Sequence, residues 1–411
     1  MTLIQELQNR NLIAQMTHPE ELEKHFNDQK VTIYHGMDPT ADSFHVGHLM
    51  GLMYMARLQK AGHRVIAVMG AGTAMIGDPS GKTSMRPMLT REQIDANVKN
   101  LSKQISKFVD LANPEKGMLV NNADWLLKLN YLEVLREVGP HFSVNRMLTA
   151  DCFKSRMESG LSFLEFNYMI LQSYDFLHLY KQYKCSVQIG GDDQWSNMLG
   201  GVELIRRIHR TGSYCLTWPL LTTSDGKKMG KTEQGAVWLD PEKTSPYEYY
   251  QYWRNVEDAS ALKCLGYFTY LPQSELDAHK KFKGQDVNKT KELLAFECTK
   301  LLHGEVEAKK AQESARQLFA AGGAIAEGSE PLIELKKQDI EKGLPIVDFL
   351  AITKIAPSKA EARRLVQQGG IQIHDKRIDD TNFLVTISEF ESGKGCLVKK
   401  GKKSYFRVKI V

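Results

Sequence analysis

Val31-Thr-Ile-Tyr34, then Val46 to Lys60, then Arg64-Val-Ile-Ala-Val-Met69: this stretch decides the fold. The outer pieces are short, apolar and rich in β-branched residues, as strands are, and the middle piece carries Leu49, Met53 and Ala56 at helical spacing. Gly62 supplies the helix stop. Strand, crossover helix, strand is a βαβ unit, and a further strand at Cys185-Ser-Val-Gln-Ile189 predicts an α/β fold with a parallel sheet covered on both faces. In such folds ligands sit at the carboxyl ends of the strands, where the polar motifs of this chain fall.

Outward from this unit the texture changes. After Pro241 come an aromatic cluster, Tyr247 to Trp253, and helical segments from about Ser274 to Phe319. The stretch from Ala320 to Pro331, small and glycine-rich, reads as a connector. Pro345 to Gln368 predicts two short helices, with strands at Ile371-Gln-Ile-His and Tyr405-Phe-Arg-Val-Lys-Ile, a small α+β module. The expected division is 1–240, 241–320, a flexible linker over 321–344, and 345–411. The formal charge of +5 is unevenly spread: residues 345–411 hold 13 Lys+Arg against 7 Asp+Glu, and the other 344 residues hold 41 against 42. A basic terminal module is the footprint of a polyanion binder. The first thirty residues lack a signal-peptide pattern, and no apolar run reaches the length of a membrane helix, so no membrane partner is expected and the location expected is cytoplasmic. Six scattered cysteines without metal-site spacing predict buried small hydrophobes, with no metal site, in a reducing compartment.

Two motifs carry chemistry. In His35-Gly-Met-Asp-Pro-Thr-Ala-Asp-Ser-Phe-His-Val-Gly-His48 a strand turns into a helix. Gly36 lets a ligand approach the backbone, and Asp38, Thr40, His45 and His48 place polar tips around a helix N-terminus that favours phosphate. As a bare pattern His-x-Gly-His also fits two metal-binding histidines, but no third ligand lies nearby. Asp225-Gly-Lys-Lys-Met-Gly-Lys-Thr232 reads on its own as a solvated basic turn, and paired with the histidine motif as a mobile cationic loop suited to clamping a triphosphate. Gly81-Lys82-Thr83 is no Walker A loop, since Ile76 stands where that motif needs glycine.

Together the motifs are specific. His45-Val-Gly-His48 resembles the HIGH signature and Lys228-Met-Gly-Lys-Thr232 the KMSKS signature of class I aminoacyl-tRNA synthetases. Val46 replaces isoleucine, and Gly230 and Thr232 replace two serines. Asp78-Pro-Ser-Gly-Lys82, Phe163-Leu-Glu-Phe-Asn-Tyr-Met-Ile-Leu-Gln-Ser-Tyr-Asp175 and Gln188-Ile-Gly-Gly-Asp-Asp-Gln-Trp195 resemble the bacterial tyrosyl branch in particular, and Pro357-Ser-Lys-Ala-Glu-Ala-Arg-Arg-Leu-Val-Gln-Gln-Gly-Gly-Ile371 is similar to S4 RNA-binding domains.

The resemblance implies a Rossmann-type catalytic domain, a helical anticodon-recognition domain and an S4-like end. It implies activation of L-tyrosine by ATP, brought with Mg²⁺, to tyrosyl-adenylate and pyrophosphate, then transfer to tRNA(Tyr), by a homodimer. No tightly bound cofactor is expected. Tyr34 and Asp175 match the residues that read the phenolic hydroxyl; Asp78, Tyr168 and Gln172 match the ammonium ligands, with Gln194 also on tyrosine. Gly36, Asp38, Gly47, Gly191, Asp193 and Lys231 fall to ATP. Thr40, His45, His48, Lys82, Arg86, Lys228 and Lys231 would neutralise charge on the reacting phosphate, and Lys359, Arg363 and Arg364, on neighbouring turns of one helix, would meet RNA. Tryptophanyl siblings share both signatures but usually lack an S4-like end. Small nucleotidyltransferases share the histidine turn on shorter chains, and an RNA-binding protein with a decayed catalytic domain would not retain His45, His48, Lys228 and Lys231.

Overall fold

The computed structural model describes the chain apart from residues 81–87, 158–159, 223–225, 227–228, 233–234, 321–331, 375, 391–394 and 402–403. It forms two compact units, Met1–Ala308 and Lys309–Val411.

In the first unit a six-stranded sheet runs β1-β6-β5-β2-β3-β4, where β1 is Gln15–Met16, β2 Thr32–Met37, β3 Arg64–Met69, β4 Gly117–Asn121, β5 Cys185–Gly191 and β6 Tyr214–Trp218. Strands β2 to β6 are parallel. The expected parallel sheet gains one antiparallel edge strand, β1, whose two residues are too few for a pattern to register in sequence. Ile33, Ile66, Val68, Val187 and Ile189 are buried, because helices cover both faces. The chain leaves β2 for β3 on one side and β5 for β6 on the other, so the crevice beyond Met37 and Gly191 is the point where strand order reverses.

The helix Val46–Lys60 departs from a one-striped helix. Val46 and the whole run Leu49 to Leu58 are buried, since the helix packs on β3 and also against the helix Asp258–Phe268. Two buried arginines fasten that second contact. Arg57 donates to the carbonyls of Gly266 (3.3 Å), Tyr267 (3.4 Å) and Thr269, and Arg10 to those of Gly266 (3.2 Å) and Leu271 (2.5 Å). Both meet Glu6, at 3.4 and 3.3 Å. Cations suit the carbonyl end of a helix. Burial lowers the Arg57 guanidinium to about 10. The helices Pro246–Arg254, Asp258–Phe268 and Val287–His303 bury Tyr249, Tyr250, Trp253, Tyr267 and Phe268, and through these contacts lie in one unit with the sheet.

The second unit holds a five-stranded sheet in the order Lys376–Ile378, Ile371–Ile373, Cys396–Lys400, Ser404–Ile410, Leu332–Leu335, antiparallel except for the last pair. The helices Ile346–Ile352 and Lys359–Gln367 set Phe349, Leu350, Ala362 and Val366 in one core with Ile371, Ile373, Val398 and Val408. Leu332–Leu335 falls inside the span read as linker. Its backbone is paired along Ser404–Ile410, so the ordered module starts upstream of Pro345. Ser358 caps the helix Lys359–Gln367, its Oγ accepting the Glu361 N–H at 3.2 Å.

Candidate active site

The histidine turn is built from the backbone upward. His45 is the N-cap of Val46–Lys60, not a residue of its first turn, and His48 is the third residue inside. The His45 ring accepts the Gly47 N–H at Nδ1 (3.0 Å), and the His48 ring accepts the His45 N–H at Nδ1 (3.2 Å). A backbone N–H can only donate, so each Nδ1 is an acceptor and each ring carries its proton on Nε2. The ring centroids stand 4.0 Å apart. The Val46 N–H is taken by the Val237 carbonyl (2.9 Å) and the His48 N–H by the His45 carbonyl (2.8 Å). The helix N-terminus expected to favour phosphate is thus capped by its own two histidines. Its first amides are engaged within the chain, and each ring carries an Nε2–H donor.

Met229 and Gly230 of the lysine segment lie against this turn. Gly230, at φ +93°, is so close that a Cβ there would lie 2.8 Å from the Gly47 nitrogen, and one on Gly47 would lie 2.8 Å from the His45 ring. Both positions are closed to side chains, the first also by its backbone angle. Phe44 and Leu239 continue the contact through a 2.8 Å backbone bond. Lys231 lies in a short strand paired with Ala236. Lys82, Arg86 and Lys228 lie outside the described residues, and the Lys231 side chain does too.

A hydrogen-bond chain joins the ends of three strands to the helix Tyr168–Tyr183. Tyr168 donates to Asp38 Oδ2 (2.9 Å) and Thr73 to Asp38 Oδ1 (2.7 Å). Asn122 Nδ2 donates to Thr73 Oγ1 (3.0 Å) and to Asp175 Oδ2 (2.9 Å), and Trp125 Nε1 donates to Asp175 Oδ1 (2.7 Å). Burial lifts the Asp175 carboxyl to about 7, opposed by the bonds from Asn122 and Trp125 and helped by the Asp38 charge. The Tyr34 hydroxyl is pushed well above its ordinary value, by burial first and the Asp175 charge next. Among the described residues its oxygen is buried with no hydrogen-bond partner, and so is Gln172 Oε1. Tyr168, Gln172 and Asp175, four and three apart, share one helix face.

A second cluster gathers Asp78 and Gln194. Asp78 accepts the Ser80 N–H (2.9 Å) and Gln194 Nε2 (2.8 Å), and Asn197 Nδ2 bonds Ser80 Oγ (3.0 Å). The adjacent acids Asp192 and Asp193 part company. Asp192 ties Gln15 (2.8 Å) and Thr217 (2.9 Å) together across the sheet edge, whereas Asp193 folds back over Gly191, where a Cβ would meet its carboxylate oxygen at 2.8 Å. Gly36 is exposed, and the Thr40 N–H bonds the Asp38 carbonyl at 2.8 Å. Thr73, Asn122, Trp125 and Asn197 escaped the sequence reading. The polar run after the apolar Met118-Leu-Val120 was the signal for Asn122 and Trp125, had β4 been read as a strand.

In the second unit Lys359, Arg363 and Arg364 are exposed on one helix. Lys359 pairs with Asp348 and Arg364 with Glu361, each at 2.7 Å. Exposed pairs of this kind hold their cations weakly. Among the described residues no group of three or more His, Cys, Asp or Glu is arranged to hold a metal ion.

Residues 26–320 match the family of tRNA synthetases class I (W and Y), and residues 326–408 match the tyrosine–tRNA ligase SYY-like C-terminal domain. A tyrosine–tRNA ligase of Acetivibrio thermocellus is 54% identical over 410 residues, covering 100% of both chains, and one of Clostridium beijerinckii is 54% identical over 408, covering 99% of each. The crystal structure of a C-terminally truncated Aspergillus nidulans mitochondrial tyrosyl-tRNA synthetase superposes with a TM-score of 0.69 at 32% identity, over 77% of this chain and 94% of that one. The first match leaves tryptophan and tyrosine open; the full-length relatives and the C-terminal domain decide between them. With Gly230 of the second signature seated against Gly47 of the first at the switch point of the sheet, the chain belongs to the class I tyrosyl-tRNA synthetases, the tyrosine–tRNA ligases.

Proposed function

We propose that tyrosine is read at its phenolic end by Tyr34 and Asp175. The observation that carries this is the buried, unpartnered Tyr34 oxygen beside a buried carboxylate whose described partners are all donors. A substrate hydroxyl gives Asp175 one more donor and Tyr34 an acceptor. The orphan Gln172 Oε1, with Asp78, Tyr168 and Gln194, takes the ammonium.

The tyrosine carboxylate attacks the α-phosphate of ATP, the oxygen–phosphorus bond forms and pyrophosphate leaves. A carboxylate is already ionised at neutral pH, so no base is needed, and the site's work is alignment and charge neutralisation. His45 and His48 donate from Nε2; Lys82, Arg86, Lys228 and Lys231, with Thr40, neutralise the phosphate oxygens. Gly36, Gly47 and Gly191 let ATP approach the backbone, Asp193 takes the ribose, and Asp38 orients Tyr168 from the ATP side. Mg²⁺ arrives with ATP as part of the substrate. A ribose hydroxyl at the 3′ end of tRNA then displaces AMP.

The division of labour we propose is catalysis in 1–240, anticodon recognition in 241–320, a linker shortened to end before Leu332, and an S4-like module through Val411. Lys359, Arg363 and Arg364 exchange their surface carboxylate partners for RNA phosphates. Deleting residues 345–411 spares tyrosine-dependent ATP/pyrophosphate exchange and cripples tRNA charging; undiminished charging sinks the assignment of RNA binding to that end.

A homodimer fits an apolar surface between residues 127 and 163, where Leu127, Tyr131, Leu132, Val144 and Phe163 are 49–73% exposed. Leu132→Lys shifts the sedimentation coefficient toward the monomer, and an unshifted value counts against this face. No helix among the described residues is long and apolar enough to cross a membrane, and we place the enzyme in the cytoplasm.

A further inference from the structure

We infer that Tyr252 is a positioning residue for the catalytic lysine segment, acting through the backbone of Gly230; this rests on the roles proposed above for Lys228 and Lys231. Tyr252 belongs to the helix Pro246–Arg254, and its phenol oxygen accepts the Gly230 N–H at 3.1 Å. Gly230 is the residue seated against the Gly47 nitrogen. Backbone bonds fasten the same segment at Met229 N–H to Leu221 (2.8 Å) and at Val237 N–H to Gly230 (3.0 Å). Tyr252 adds a side-chain bond at Gly230, which lies against the histidine turn.

The tyrosine is itself held. Its ring stands edge-on to Trp253 with centroids 5.1 Å apart, and Trp253 packs on Phe268 at 4.9 Å. Burial raises its hydroxyl pKa, and the Gly230 N–H opposes that rise. A hydroxyl fixed from its ring side cannot follow a moving loop, so the bond favours one seat for Gly230. Lys231 follows Gly230 directly and Lys228 precedes it by two residues. The backbone at Gly230, between them, is then already seated against the histidine turn, which cuts the ordering left to be done when ATP binds.

Tyr252→Phe keeps the ring and removes the oxygen. Exchange kinetics, equilibrium tyrosine binding and timed trypsin digestion are measured on the full chain, on Tyr252→Phe and on Lys228→Ala. The expected result is a fall of about 3- to 10-fold in kcat for exchange, the scale of one neutral hydrogen bond. Tyrosine affinity stays unchanged, and cleavage after Lys227, Lys228 and Lys231 becomes faster. Loss of tyrosine affinity in step with kcat, together with a lower Tm, marks a merely structural tyrosine and overturns the inference. Unchanged kcat, or faster turnover, overturns it too. If Lys228→Ala leaves exchange intact, the reading of the site itself fails; if Lys228→Ala abolishes exchange while Tyr252→Phe is silent, only the role of Tyr252 fails.

Discussion

The Asp175 end of the site and the Gly230 end are built by different means. Around Asp175 the work is done by side chains: Asn122 and Trp125 hold both carboxylate oxygens, and Asn122 reaches through Thr73 and Asp38 to Tyr168. Around Gly230 it is done mainly by backbone: a positive-φ turn on Gly47 and amide bonds to Leu221 and Val237. The first arrangement is buried in the sheet's core and cannot yield without leaving polar groups unpaired, which suits choosing one amino acid from twenty. The second belongs to a loop segment whose identity is set by glycine and by reach, which suits meeting a charge that changes during the reaction. Selection and neutralisation are thus separable, and substitutions should separate them.

The largest effect is expected at the side-chain end. Asp175→Ala strips the Asn122 and Trp125 donors of their carboxylate partner and removes the acceptor proposed for the substrate hydroxyl. A drop of about 10³-fold in kcat/KM for tyrosine follows from hydrogen bonds to a buried charge at about 1.5–3 kcal/mol each. Steady-state exchange reads it, and a loss under tenfold would break the contrast drawn here. Enzymes of this class are the standard case of the same logic, rejecting phenylalanine by about 10⁵.

A smaller, graded effect follows from the position of the Asp175 titration at about 7. An acid whose pKa is raised is ionised above that value and protonated below it. Tyrosine brings a donor to the carboxylate, so its binding favours the ionised form, and phenylalanine brings none. The ratio of kcat/KM for tyrosine to that for phenylalanine should therefore fall as pH drops through about 7, approaching tenfold per unit below it. Groups that act on both substrates alike, the histidines and lysines among them, cancel in the ratio. A ratio flat from pH 8 to pH 6 removes Asp175 from discrimination.

How far sequence alone reached follows the same divide. The βαβ unit was legible because Val31 to Tyr34 and Arg64 to Met69 are short apolar runs and a helical pattern separates them. Strand β1 was not, with only two residues, and β4 was hidden by the mixed polarity of an edge strand. Tyr34, Asp78, Tyr168, Gln172, Asp175 and Gln194 were reached by resemblance. The structure links several of them through Thr73, Asn122 and Asn197, residues of ordinary type whose meaning lies only in what they touch. The sequence put His45 and His48 at a helix N-terminus, but a capping role for an imidazole has no signature in spacing. The linker was drawn too long because Leu332 to Leu335 pairs with a strand some seventy residues away.

The reciprocal cap of His45 and His48 also bears on how long the activated amino acid survives. A mixed anhydride of a carboxylic and a phosphoric acid is lost to water whenever a neighbouring base draws a proton from that water. An imidazole is the usual such base, yet these two spend their lone pairs on backbone amides and can only give hydrogen bonds. The turn we propose to grip the phosphates thus carries two imidazoles whose Nδ1 lone pairs are already engaged, which leaves the intermediate to its intended acceptor.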